Sequence, residues 1–240
     1  MLPFFFNISA LICKSMKTTN ILVVLLIISS CGGGSSNIVE NDSSIPGNDL
    51  NPVNETCLDT SRNGVDKCDL THDNRNRFYY LYVPDNLDTN QSIPILFAFH
   101  GYGSSALRHL GYTNYIPIAD RNNFIVVYPQ GESTSTLSAH WNVGGWTSKS
   151  PVKDLEFVET VIDLLKDKLP IDETRIYSSG MSNGGYMGYH LACNLSNKFA
   201  AIASVTGSMT TSTYDNCSPS HPTPILQIHG LLDFVVPYNG

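Results

Sequence analysis

A chain of 240 residues, 42% hydrophobic and 15% charged, has the apolar content for one good core and the composition of a folded protein, not of a disordered one. Its 21 acidic against 14 basic side chains give a formal charge of -7. With no basic stripe and no cysteine pair at zinc spacing, that balance argues against nucleic acid as a partner.

The N-terminus carries a short apolar run, Ile21 to Ile28, preceded by Lys14 and Lys17 and followed by Ser29, Ser30 and Cys31. This is the pattern of a secretory signal, too short to span a bilayer. The order Ile28-Ser29-Ser30-Cys31 resembles the lipobox of bacterial lipoproteins, which implies cleavage before Cys31, its lipidation, and a lipid anchor in the cell envelope. An ordinary signal peptide cut nearby is the alternative reading. Met16 followed by Lys17 makes a more usual signal start than Met1. Residues 1–30 are therefore expected as signal and 31–70 as a flexible linker ending in a loop with Cys57 and Cys68. The Gly, Ser, Asn, Asp and Pro content up to Thr56 cannot bury enough apolar area to offset ordering. Asp59, Asp66 and Asp69 lie near those cysteines, but their spacing matches no calcium loop.

Residues 71–240 are expected to form the folded domain. Arg77 to Val83 predicts a strand, and Ile93 to Phe99 and Phe124 to Tyr128 are near-continuous apolar runs suited to strands covered on both faces. Tyr115 to Arg121 predicts a short helix. Asp154 to Leu169 is the clearest helix, with Leu155, Val158, Ile162, Leu165 and Leu169 on one face, Asp154 in the first turn, Lys166 and Lys168 in the last, and Pro170 beyond. Arg175 to Ser179, Ala200 to Val205 and Pro224 to Ile228 predict three more strands. The alternation argues for an α/β fold with a mostly parallel sheet and helices on both faces. Outside the cytosol, Cys57, Cys68, Cys193 and Cys217 allow three disulfide connectivities. Local pairing favours Cys57 with Cys68 and Cys193 with Cys217.

Gly180-Met181-Ser182-Asn183-Gly184 matches G-x-S-x-G, in which a serine sits on a cramped strand-to-helix turn that glycine alone tolerates at the flanks. The predicted strand before it and small residues after it supply the required context. Ser182 is thus the candidate nucleophile. The backbone amides of Asn183, and of Tyr102 in the loop after an early strand, are candidate oxyanion donors. Asp233, after a later strand, is the candidate acid that orients a histidine. In the order Ser, Asp, His the base must follow Asp233, and His72, His100, His109, His140, His190, His221 and His229 all precede it. The triad histidine is accordingly expected beyond residue 240, in a domain incomplete at its C-terminus. Trp141 and Trp146, in the long loop from Gly131 to Pro151, are candidates for a wall that stacks on substrate, with core packing as the other reading.

Arg77 to Gly240 resembles the secreted polyhydroxybutyrate depolymerase and feruloyl esterase group of the α/β-hydrolases. The stretches that carry the likeness are Pro94 to Gly101, Gly180 to Met187, Leu191-Ala192-Cys193, Phe199 to Ala203 and His229 to Tyr238. The resemblance implies a cofactor-free, metal-free ester hydrolase using Ser182 and Asp233. It implies polyester, or hydroxycinnamoyl or acetyl esters of plant polysaccharide, as substrate, and it supports pairing Cys193 with Cys217. A monomer is expected. Two rival readings are a surface-anchored binding lipoprotein on a hydrolase scaffold that has lost catalysis, and a secreted serine peptidase built from the same parts.

Overall fold

The computed structural model describes residues 54–62 and 64–239, and it opens with a hairpin where a linker and loop were expected. Strand β1 (Glu55–Arg62) pairs antiparallel with β2 (Val65–His72), setting Cys57 opposite Cys68 in register, where they form a disulfide. β1 shows almost no buried face, so its sequence carries no apolar alternation to announce a strand. It is held instead by the bridge, by ladder bonds and by Glu55, which accepts from Tyr79 and pairs with Lys168. The expected signal, Cys31 and the linker as far as residue 53 lie outside the described residues.

A two-residue turn at Asp73 and Asn74, both at positive φ, leads into β3 (Arg75–Tyr82), antiparallel to β2. After β4 (Ile93–Phe99) come helices α1 (Ala106–Thr113) and α2 (Ile116–Asn122), then β5 (Ile125–Pro129). Helix α3 (Asp154–Lys166), β6 (Ile171–Met181), α4 (Asn183–Asn194), β7 (Ala201–Val205), α5 (Thr211–Asp215) and β8 (Ile225–Ile228) complete the order. The eight strands form one sheet, β1-β2-β3-β5-β4-β6-β7-β8, antiparallel from β1 to β5 and parallel from β5 to β8.

Side chains alternate across this sheet, so each central strand feeds two cores. Ile95, Phe97 and Phe99 of β4 and Ile125 and Val127 of β5 join α3 and α4 on one face; Ala98, Val126 and Tyr128 join α1 and α2 on the other. Helix α3 buries Phe157, Val158, Val161, Ile162 and Leu165, each worth about 1.5–3 kcal/mol of burial. It stops at Lys166, short of the expected Leu169, because the amides of Lys168 and Leu169 both turn back to the Leu165 carbonyl ahead of Pro170. A second disulfide, Cys193 to Cys217, ties the end of α4 to the segment after α5. Closing that loop stabilises the fold by about 3 kcal/mol on chain-entropy reasoning.

Candidate active site

The site is assembled at the carboxyl ends of β4, β6 and β8. Between β6 and α4, Ser182 takes φ 53° and ψ −122°, a backbone region that side chains other than glycine rarely enter and that costs about 1–3 kcal/mol. Two bonds hold it there: its amide donates to the Val205 carbonyl on β7 at 2.8 Å, and its carbonyl accepts from Tyr186 at 3.0 Å to start α4. The flanking glycines are required by contact. A Cβ on Gly180 would stand 2.2 Å from the Gly184 oxygen, and one on Gly184 would stand 2.1 Å from the Phe99 oxygen. Ser182 itself is half-buried, and its hydroxyl hydrogen-bonds no side chain among the described residues.

The loop after β4 lies against this bend. A Cβ built on Gly101, the residue before Tyr102, would sit 3.5 Å from the Cβ of Ser182. Among the described residues neither the Tyr102 amide nor the Asn183 amide donates to another group. Asn183 follows the serine directly and Tyr102 follows Gly101, so two amides without an acceptor lie on the two segments that meet at this bend.

Asn183 is buried and occupied by its side chain: Oδ1 accepts from the Trp141 amide at 2.7 Å and Nδ2 donates to the Trp141 carbonyl at 3.2 Å. The Trp141 indole donates to the His100 carbonyl at 2.8 Å and meets Phe99 edge-on at 5.0 Å. With no exposed surface, Trp141 is a core residue and corrects the expectation that it walls the substrate. Trp146 is half exposed, its ring edge-on to that of Tyr102 at 5.3 Å.

Asp233 lies in the turn after β8, where Oδ1 accepts from the amides of Val235 and Val236 at 2.9 Å each. Those bonds, and then the nearby His229 ring, hold its carboxyl below the usual range. Its charge reaches the first turn of α4: burial first, and the Asp233 carboxylate second, push the Tyr186 phenol upward.

Most of the histidines hydrogen-bond groups other than Ser182. His100 sets Nδ1 against the Gly101 carbonyl at 2.8 Å and accepts the Gly131 amide on Nε2 at 2.9 Å, and burial pushes its pKa down. His190 contacts Thr213, His109 contacts Tyr112, His140 faces the Ser138 carbonyl, and His229 Nε2 lies 2.7 Å from the Val236 carbonyl and 3.7 Å from Asp233. None hydrogen-bonds Ser182 among the described residues. For metal ligation, Glu55, Cys57 and Cys68 bring donor atoms together, but the two sulfurs are bonded to each other and offer no thiolate.

Asp154 was legible only as a charge at a helix start. It is instead buried, with Oδ1 2.7 Å from Arg77 of β3 and Oδ2 accepting the Asn142 amide at 2.7 Å. No local pattern announces a partner 77 residues away.

A family model described as the prolyl oligopeptidase family matches residues 111–220. Over 163 residues the chain is 33% identical to a bifunctional acetylxylan esterase/xylanase of Neocallimastix patriciarum, covering 68% of this chain and 22% of that protein. Over 170 residues it is 28% identical to a probable feruloyl esterase C of Aspergillus clavatus, covering 68% of this chain and 57% of that protein. Over 159 residues it is 29% identical to a feruloyl esterase B of Piromyces equi, covering 65% and 29%. The chain thus spans between about a fifth and three fifths of the length of these curated relatives. Among solved structures, a thermostable esterase superposes with a TM-score of 0.59 at 22% identity, covering 73% of this chain and 48% of that one. Together with the strand order, that likeness establishes an α/β-hydrolase fold.

Proposed function

We propose that the chain is the nucleophile-bearing part of a secreted serine carboxylic ester hydrolase that acts on feruloyl or acetyl esters of polysaccharide, and that residues 1–240 by themselves are a poor catalyst for lack of the triad histidine. Ser182 is the nucleophile and Asp233 the acid that orients a histidine. One observation carries this reading: the serine is held at φ 53° and ψ −122° between glycines that the packing requires. A fold keeps such strain where it sets a reacting atom.

In the proposed reaction Ser182 Oγ attacks the ester carbonyl carbon while its proton passes to the histidine. The carbonyl oxygen becomes an oxyanion that accepts from the amides of Tyr102 and Asn183. Collapse breaks the bond to the alcohol, which leaves with the histidine's proton. Water, deprotonated by the same ring, then releases the acid and restores the serine. The base is proposed to come from outside residues 1–240, because each histidine set near the site is engaged with other groups. Asp233 stays anionic throughout, which its main-chain bonds favour. Half-exposed Trp146 is proposed as the substrate-stacking residue, and Cys31, outside the described residues, as the lipid attachment point of an envelope-anchored monomer.

The esterase relatives favour ester over peptide, whereas the prolyl oligopeptidase model favours a serine peptidase using the same parts. Labelling the full-length protein with a fluorophosphonate, beside Ser182→Ala, and assaying methyl ferulate, acetylated xylan, poly(3-hydroxybutyrate) and a prolyl peptide separates the readings. Labelling lost in Ser182→Ala with turnover of the first two supports the proposal. Peptide turnover alone supports the peptidase, polyester turnover alone moves the substrate class, and equal labelling of both proteins overturns Ser182. A correctly folded full-length protein with neither labelling nor turnover points to a binding protein on this scaffold.

A further inference from the structure

The Arg77–Asp154 pair is almost fully removed from solvent, at 1% and 0% side-chain exposure. It is not arranged to maximise stability: Arg77 lies over the Phe157 ring at 3.9 Å, but its Nε and Nη1 have no hydrogen-bond partner among the described residues. Apolar side chains of similar volume would fill such a place as well or better. What they cannot do is accept a main-chain amide, and that is the use made of the second carboxylate oxygen, which takes the amide of Asn142 at 2.7 Å. The Asn142 side chain then closes its own loop, donating to the carbonyls of Ser150 and Val152 at 3.0 and 3.2 Å.

The residue before Asn142 is Trp141, which touches both halves of the oxyanion site. Its main chain grips Asn183, whose amide is one donor, and its indole grips the His100 carbonyl, two residues ahead of the Tyr102 amide. We infer that Asp154 is a positioning residue: it fixes Asn142, and through Trp141 the two loops whose amides receive the oxyanion. This rests on the esterase reading of Ser182, and its stability role is secondary to its placement of these donors.

The test uses the full protein with two variants, Asp154→Asn and the double Arg77→Met/Asp154→Leu. The double variant fills the volume without a buried charge and removes the acceptor for Asn142. Asp154→Asn keeps an oxygen there and serves as the rescue. Near-ultraviolet circular dichroism reports folding, amide hydrogen exchange reports Asn142 and Trp141, and methyl ferulate kinetics report kcat and KM separately. The double variant is expected to fold and to exchange the Asn142 and Trp141 amides faster. Its kcat is expected to fall about tenfold or more, part of the loss seen when an oxyanion donor is removed outright, with KM nearly unmoved. Asp154→Asn is expected to fall between it and the parent. A folded double variant with the parent's kcat overturns the inference, as does a loss confined to KM. If the double variant does not fold, Asp154→Asn decides by the same readouts. If the parent protein neither labels nor turns over ester, the esterase reading is what has failed. Exchange then judges the link alone: unchanged exchange at Asn142 and Trp141 overturns it, and faster exchange supports it.

Discussion

Gly184 and Phe99 meet so closely that a methyl group on the glycine would stand 2.1 Å from the Phe99 carbonyl oxygen, a separation no packed side chain adopts. This contact pins the start of α4 to the end of β4. Gly184→Ala and Gly180→Ala are therefore expected to cost about 3 kcal/mol or more, because the obstructing atoms are main chain and cannot rotate away. Gly188→Ala is the control. Its Cβ would meet Ile202 and Ser178 side chains at 3.5–3.6 Å, ordinary contact, so the helix-propensity gain of up to about 1 kcal/mol decides the sign. Urea unfolding of the three variants checks the contrast, and equal losses in all three would contradict it.

Ser182 stores strain that a glycine would not feel. Ser182→Gly is expected to raise stability over Ser182→Ala by about 1 kcal/mol, while both abolish fluorophosphonate labelling. Thermal unfolding of the pair tests this, and an alanine variant as stable as the glycine variant would show that the bend carries no cost.

Asp233→Asn keeps an oxygen for the Val235 and Val236 amides but removes the charge, so the turn after β8 is expected to keep its shape. Turnover of methyl ferulate is expected to fall by on the order of 10⁴, the effect of presenting the wrong partner to a triad imidazole. An asparagine variant within tenfold of the parent, by initial rates, would remove Asp233 from the mechanism.

Acid stability turns on His109, which burial pushes down to about 4. A histidine kept neutral in the fold but free to protonate at its ordinary value when unfolded contributes stability that is complete above that value. The contribution is lost as pH falls from about 6.5 toward 4, and 2.5 units correspond to about 3 kcal/mol. Burial moves His100 and His190 in the same direction, so they add to the slope. Unfolding free energies at pH 7 and pH 4.5 are expected to differ less for His109→Gln than for the parent, and an unchanged difference would move the acid sensitivity elsewhere.

Much of the central sheet was readable because β4 and β5 are continuous apolar runs and α3 carries a helical stripe. The strand at Ile93–Phe99 has the expected bounds, and β6 is longer than expected, running from Ile171 to Met181. The bend at Ser182 was readable because crowding restricts its flanks to glycine. The hairpin of β1 and β2 was not, since an edge strand with both faces near solvent has no periodicity to read. Trp141 and Trp146 have the same residue type in the same loop, and only the fold distinguishes the ring beneath β4 from the one beside Tyr102. Asp154 illustrates the general limit: a local pattern reports a charge near a helix start, but its partner depends on which strand the chain lays beside that helix.

The Ser182 amide is held by Val205, a strand that is synthesised after the serine itself. One of the two bonds that hold the bend is therefore made only once β7 is in place. On the proposed reading, the conformation that would make this serine reactive is completed only when the sheet is assembled as far as β7.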